Sequence, residues 1–180
     1  MTPRPPGNAL LPELAAGKPP AFAALYDRLS EPLLRVACAM LRDPSDAEDA
    51  LQDLFVNLAR SRHRFLAVED LDAYVFACLR HAVGSRLATR KRQRQQLQEA
   101  ASRLRGDAGQ VQLPPADPQE DLTAALDALP AEQREIVAMK IDGGLTFSQI
   151  AIALNIRPTT AASRYRYAME KLRRWLEEKA

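Results

Sequence analysis

Apolar residues recur at three- and four-residue steps early in the chain: Phe22, Leu25, Tyr26, Leu29, Leu33, Val36, Ala37, Met40 and Leu41. That spacing lines them up on one stripe of an α-helix. Pro32 falls inside the stripe and predicts a kink or a break between two helices, because proline removes a backbone donor and crowds the preceding turn. Asp43-Pro44 restarts the pattern, with aspartate as N-cap, proline at the first helical position and Asp46 in the first turn. Ala47, Ala50, Leu51, Leu54, Phe55 and Leu58 form the next stripe, which leaves Asp46, Asp49 and Asp53 on the other side. The segment SRHRFLAVED, 61–70, predicts a loop or short turn. A further helix is predicted from about Leu71 through Leu87, with Leu71, Val75, Cys78, Leu79, Ala82 and Val83 facing inward. Its far end carries the basic run ATRKRQRQQ.

From Thr89 to Pro118 the periodicity fades, and Gln, Arg, Gly and the stretch LPPADP take over, which is linker composition. Asp117-Pro118, with Glu120 behind it, repeats the cap-and-proline start. Helical segments are then predicted over Leu122–Leu129, Ala131–Ile141 and Thr146–Leu154, followed by one from Pro158. With seven glycines and little β-branched alternation, the pattern is all-α. It divides into an N-terminal tail (1–20), a first helical domain (21–92), a flexible linker (93–118) and a second helical domain (119–180).

The most specific local signal joins Thr146–Leu154 to the helix beginning at Pro158. Thr146 with Gln149 fits a capping box, Asn155 suits the left-handed end of a helix, and Pro158 opens the next where its missing N–H costs nothing. Two helices joined by so short a turn, the second basic, make a helix-turn-helix. In RPTTAASRYRYA, 157–168, the first turns are small residues and the long cationic and aromatic ones follow. A slim leading end fits a major groove about 12 Å wide, where Thr and Ser hydroxyls and Arg side chains bond bases or phosphates. A plain helical hairpin with a polar face is the alternative for this pattern taken alone.

The net charge of +2 conceals three charged stretches. Asp43 to Asp53 holds five acids and no base; Arg86 to Arg105 holds seven bases against one acid; Arg164 to Lys179 holds six bases against three acids. Any one of them alone is equally a solvated helix face. No apolar run approaches a membrane span, and MTPRPPGNALLPELAAG lacks the regions of a signal peptide, so a cytoplasmic protein without membrane insertion is expected. Cys38 and Cys78 sit in apolar helical patterns and are expected to be reduced core residues. With His63 and His81 they are the only soft metal-ligand candidates; Cys78 and His81 share a helix face, but four suitable ligands are not assembled. No metal, cofactor or enzymatic chemistry is expected.

LDALPAEQREIVAMKIDGGLTFSQIAIALNIRPTTAASRYRYAMEKLR resembles region 4 of bacterial sigma factors of the extracytoplasmic-function group, through Leu129, Pro130, Arg134, Gly144, Leu145, Thr146, Phe147, Ile150, Ala151, Thr160, Ser163 and Arg164. LRDPSDAEDALQDLFVNLAR is similar to region 2 of that family, and LDAYVFACLRHAVGSRLATRKR to the helix that follows it. The resemblance implies a sigma factor that binds RNA polymerase core, at its clamp helices and flap, and directs initiation at promoter DNA. It places polymerase contacts at Asp46, Asp49, Gln52, Asp53 and Val56. Contacts to the minus-ten element fall at Tyr74, Arg80, His81, Arg86, Arg90, Lys91 and Arg92, with an unstacked base held near the loop Arg62 to Asp70. Contacts to the minus-thirty-five element fall at Arg157, Thr159, Thr160, Ser163, Arg164 and Arg166. An anti-sigma factor is a further partner the resemblance suggests. The chain departs from the family pattern at Tyr74 (usually Trp), His81 and Ser85 (usually Asn and Asp), Ala162 (often basic) and Arg157 (usually a Ser cap). Three rival readings are a helix-turn-helix regulator that ignores polymerase core, a purely protein-binding helical module, and a metal site or enzyme.

Overall fold

The computed structural model describes residues 7–102 and 124–177, with the backbone alone described at 99–102. Among the described residues every regular element is helical. A 3₁₀ turn, Gly7–Leu10, leads into α1 (Leu11–Ala15), and α2 (Pro19–Leu41) and α3 (Pro44–Arg60) follow. A second 3₁₀ stretch, Arg62–Ala67, connects to α4 (Leu71–Ser102). After the undescribed segment, residues 124–128 form α5. Then come α6 (Ala131–Ile141), α7 (Phe147–Leu154) and α8 (Pro158–Glu177).

The first lobe packs α2, α3 and α4 around Leu25, Leu29, Leu33, Leu54, Leu58, Leu71, Val75, Phe76 and Leu79, all essentially inaccessible. Asp43 caps α3 as expected, its carboxylate accepting the Asp46 N–H at 3.1 Å. α2 runs unbroken through Pro32, which is itself buried, so lobe packing offsets the roughly 3 kcal/mol a mid-helix proline costs. The 61–70 segment is not an open loop: Phe65 is buried and meets Phe22 and Tyr74 edge-on at 6.2 and 5.6 Å. Residues 7–15, within the expected tail, are helical, with Leu14 inaccessible. Asn8 accepts the Leu71 N–H at 2.9 Å and donates to the Glu69 carbonyl at 2.7 Å, tying this segment to the start of α4. Asp72, a buried acid of α4, is paired with Arg28.

α4 also extends into the expected linker, to Ser102. Residues 91–98 are exposed, so they have no apolar face to reveal in a periodicity. Their Gln, Arg, Lys and Leu content supplies helix propensity instead.

In the second lobe, the Thr146 hydroxyl accepts the Gln149 N–H at 3.2 Å while Gln149 Oε1 accepts the Thr146 N–H at 3.0 Å, completing the capping box. Asn155 is left-handed at φ 53°, and the Ile156 N–H donates to the Ala151 carbonyl at 3.0 Å, closing α7 onto the turn before α8. Gly144, at φ 67°, makes the left-handed turn between α6 and α7. A small satellite core, Ala125, Leu129, Val137, Ala168 and Leu172, holds α5, α6 and α8 together.

The two lobes are packed on each other. One continuous apolar cluster runs from the first lobe into Ile136, Ala138, Met139, Leu145, Ile150, Ala153, Leu154 and Ala161. α2 lies against α6, and α4 against α7.

Candidate nucleic-acid and polymerase interfaces

The acidic face belongs to α3, where the buried stripe turns Asp46, Asp49, Gln52, Asp53 and Val56 outward. Val56 is 42% exposed, an apolar side chain beside the carboxylates. Tyr26 of α2, half-exposed, stacks against Phe55 at 5.0 Å and extends the apolar part of that side.

α4 brings Arg86 and Arg90 onto the same acids. Arg86 lies 3.1 Å from Asp49, 2.6 Å from Asp53 and 3.7 Å from Asp46. Burial alone would lower the Arg86 pKa, but Asp53 and Asp49 outweigh it and raise it. Arg90 pairs with Asp43 at 2.7 Å and with Asp46, and donates to the Leu41 carbonyl at 3.1 Å. The Asp46 backbone N–H, and Arg90 after it, hold the Asp43 carboxyl below the ordinary range. So residues assigned from sequence to polymerase and to DNA form one ladder between α3 and α4. Asp49 and Asp53 nevertheless stay 55% and 58% exposed, and a carboxylate with one cation still has lone pairs for another.

The remaining minus-ten candidates separate. Tyr74 is half-buried against Phe65, and desolvation raises its pKa. Tyr74 and Cys78, with His81, Ser61, Arg64 and Ser85 and the apolar Leu54, Leu58 and Ala82, line a cavity of about 460 Å³ between α3 and α4. Burial raises the Cys78 and Cys38 thiol pKa values, which favours the thiol over the thiolate at both. His81, Lys91 and Arg92 are exposed. Arg80 is engaged by the other lobe: its Nε donates to Glu135 Oε1 of α6 at 2.9 Å. Sequence reasoning missed Glu135, which is buried on α6 and whose pKa is raised chiefly by desolvation. An acid within the run EQREIVAM was the available signal.

The helix-turn-helix presents its leading turns. Arg157, Pro158, Thr159 and Arg166 are exposed, and Thr160, Ser163 and Arg164 half-buried, while Ala161 packs inward. Ser163 donates its hydroxyl proton to the Thr160 carbonyl at 3.0 Å, which leaves the lone pairs of its oxygen as acceptors. Arg164 pairs with Glu132 of α6 at 2.7 Å. Tyr165 is fixed by an edge contact to Phe147 at 5.6 Å, and the Arg166 guanidinium lies over Tyr167 at 5.3 Å. Among the described residues no group of His, Cys, Asp or Glu could hold a metal ion, and no helix is long and apolar enough to cross a membrane.

Comparison with known proteins matches residues 25–93 to Sigma-70 region 2 and residues 119–172 to Sigma-70, region 4. The chain is 26% identical to the ECF RNA polymerase sigma factor SigK of Mycobacterium ulcerans (strain Agy99), covering 96% of this chain and 97% of that protein. It is 29% identical to SigK of Mycolicibacterium vanbaalenii, over 94% of this chain and 88% of the relative. Its fold is similar to CnrH in complex with the cytosolic domain of CnrY, with a TM-score of 0.68 at 19% identity over 96% of this chain and 98% of that one. It is also similar to the sigma factor RpoE in complex with the anti-sigma factor NepR from Bartonella quintana, with a TM-score of 0.61 at 22% identity over 94% and 92% of the two chains.

Proposed function

Because the chain belongs to the extracytoplasmic-function group of the sigma-70 family, we propose that it binds RNA polymerase core through α3 and delivers it to promoters through α4 and α8. The observation carrying this reading is that both regions occur in family order on one chain, with the leading turns of α8 left exposed. A helix-turn-helix regulator indifferent to polymerase would have no use for the first lobe's match to region 2.

Asp49, Asp53, Gln52 and Val56 form the polymerase contact, with Asp46 braced behind them by Arg86 and Arg90. Unlike charges steer the encounter and set its orientation, and the apolar surface at Val56 adds adhesion. Tyr74, Arg80, His81, Lys91 and Arg92 face the minus-ten element, with Arg86 and Arg90 at its border. An extruded base costs a few kcal/mol to unstack, offset by a fitted pocket and by backbone cations. Arg157, Thr159, Thr160, Ser163, Arg164 and Arg166 face the minus-thirty-five element. The chain does no covalent chemistry in this scheme; polymerase makes the RNA, in the cytoplasm where it works. A protein that holds the factor inactive would cover these same faces, and the structurally similar RpoE is indeed held in a complex with the anti-sigma factor NepR.

Reversing Asp49 and Asp53 together, to Arg, is expected to weaken binding to purified polymerase core by at least about tenfold, near 1.4 kcal/mol, with the helical fold retained in circular dichroism although Arg86 loses both partners and some thermal stability goes with them. Core affinity equal to wild type in a pull-down titration would remove α3 from the polymerase contact.

A further inference from the structure

The cavity beside α4 has a wall that the long helices do not supply. Ser61 and Arg64 line it together with Tyr74, Cys78 and His81 of α4. Where that wall stands depends on how residues 61–70 are held between α3 and α4. Arg62–Ala67 is 3₁₀, a form whose hydrogen bonds are poorer than those of an α-helix. Val68 behind it is extended, at φ −86° and ψ 124°. Phe65, buried against Phe22 and Tyr74, anchors the middle of the segment.

Its two ends are held by the N-terminal segment. Asn8 donates Nδ2–H to the Glu69 carbonyl at 2.7 Å and accepts the Leu71 N–H at 2.9 Å, spanning the junction of loop and helix. Leu71 is the first residue of α4, so its N–H has no partner within the helix. At the other end Gly17 is left-handed, at φ 74°, and a Cβ on it would lie 2.8 Å from Cδ of Arg62. Between these points α1 lies against the 3₁₀ stretch, with Leu14 inaccessible. Asn8 itself is exposed and fills no core. What it contributes is two directional bonds that fix how the loop enters α4, one turn before Tyr74.

We propose that Asn8 is a positioning residue for minus-ten recognition: it holds the loop 61–70 against the start of α4 and so sets the wall of the cavity that receives an unstacked base. The proposal rests on the promoter-binding reading above. Asn8 touches no DNA in this scheme; it acts through Glu69 and Leu71. A binding site selects its ligand only while the groups that form it stand within about 0.5 Å of the working geometry. A loosened wall still admits a base, but it offsets less of the cost of unstacking and distinguishes less between a base and none.

Asn8→Ala removes both bonds from a surface position. Full-length wild type and variant, each assembled with polymerase core, would select from a pool of random-sequence single-stranded DNA. Each position of the motif recovered with wild type would then be made abasic in turn, and binding of both holoenzymes read by anisotropy. At the position where wild type loses most, the ratio of intact to abasic affinity is expected to fall at least about threefold in the variant. Ratios at the other positions and affinity for core are expected to stay as in wild type. Asn8→Asp keeps the acceptor for the Leu71 N–H and gives up the donor to Glu69, so its ratio is expected to fall between the two. A merely structural role would move all ratios together.

Equal ratios in wild type and Asn8→Ala overturn the proposal, as does a uniform loss across positions or a parallel loss of core affinity. Amide exchange at residues 62–71 needs no promoter and is expected to quicken in Asn8→Ala; unaltered exchange there also overturns it. If exchange quickens but wild-type holoenzyme enriches no motif, the brace stands, and the minus-ten role falls together with the sigma-factor reading.

Discussion

Arg164, proposed for the minus-thirty-five contact, already has a partner in the structure. It projects from the second turn of α8 yet is held by Glu132, whose carboxylate is two-thirds exposed. An exposed pair of this kind contributes about 0–1 kcal/mol, so DNA can take the arginine from it. Arg164→Ala is expected to weaken promoter binding, by about 1–3 kcal/mol for a base contact, or to lower the salt slope by about one for a phosphate contact. Glu132→Gln is expected to act oppositely and strengthen binding. Filter binding across a salt series checks both; an Arg164→Ala protein with unaltered affinity and slope removes this residue from the interface. Ladder residues Arg86 and Arg90 were legible as cations but not as partners of the acids, since their pairing needs α3 and α4 set side by side.

α7 owes its start to one hydroxyl. Removing an N-cap oxygen costs about 1 kcal/mol, so Thr146→Ala is expected to lower the thermal midpoint by about 2–4 °C, read by circular dichroism; no change would mean the Gln149 half of the box suffices. These capping and turn elements were the most legible in sequence, because Thr146, Asn155 and Pro158 act through local backbone chemistry. Pro32 does not break α2 for the converse reason: its penalty is local, while the burial that offsets it is not. The end of α4 was hidden because an exposed helix leaves no apolar period.

The interlobe seam on α6 gives a pH dependence. Burial chiefly, and Glu132 of the same helix, raise the Glu135 pKa, against Arg80 of α4 and Arg164 of α8, which lower it. A carboxyl that holds its proton more tightly in the closed state favours closure in acid. That preference is lost as pH climbs from the open-state value, about 4.3, through the raised one. Scattering is therefore expected to show the most compact chain in mild acid, and Glu135→Gln should flatten the trend; a chain that opens on acidification contradicts this sign.

At the scale of the whole molecule, two helical lobes with an acidic and two basic faces were visible in sequence. Their packing into one body was not, because Ile136, Met139 and Ile150 look like the core of a single small domain until α2 and α4 cover them. These lobes carry the faces proposed for polymerase and for the two promoter elements. The most direct measurement is run-off transcription by polymerase core with this chain over genomic fragments. Defined start sites sharing two upstream elements, lost with the Asp49 and Asp53 reversals and weakened by Arg164→Ala, are the expected result. RNA no different from core alone, at any fragment and any concentration of the chain, would contradict the account.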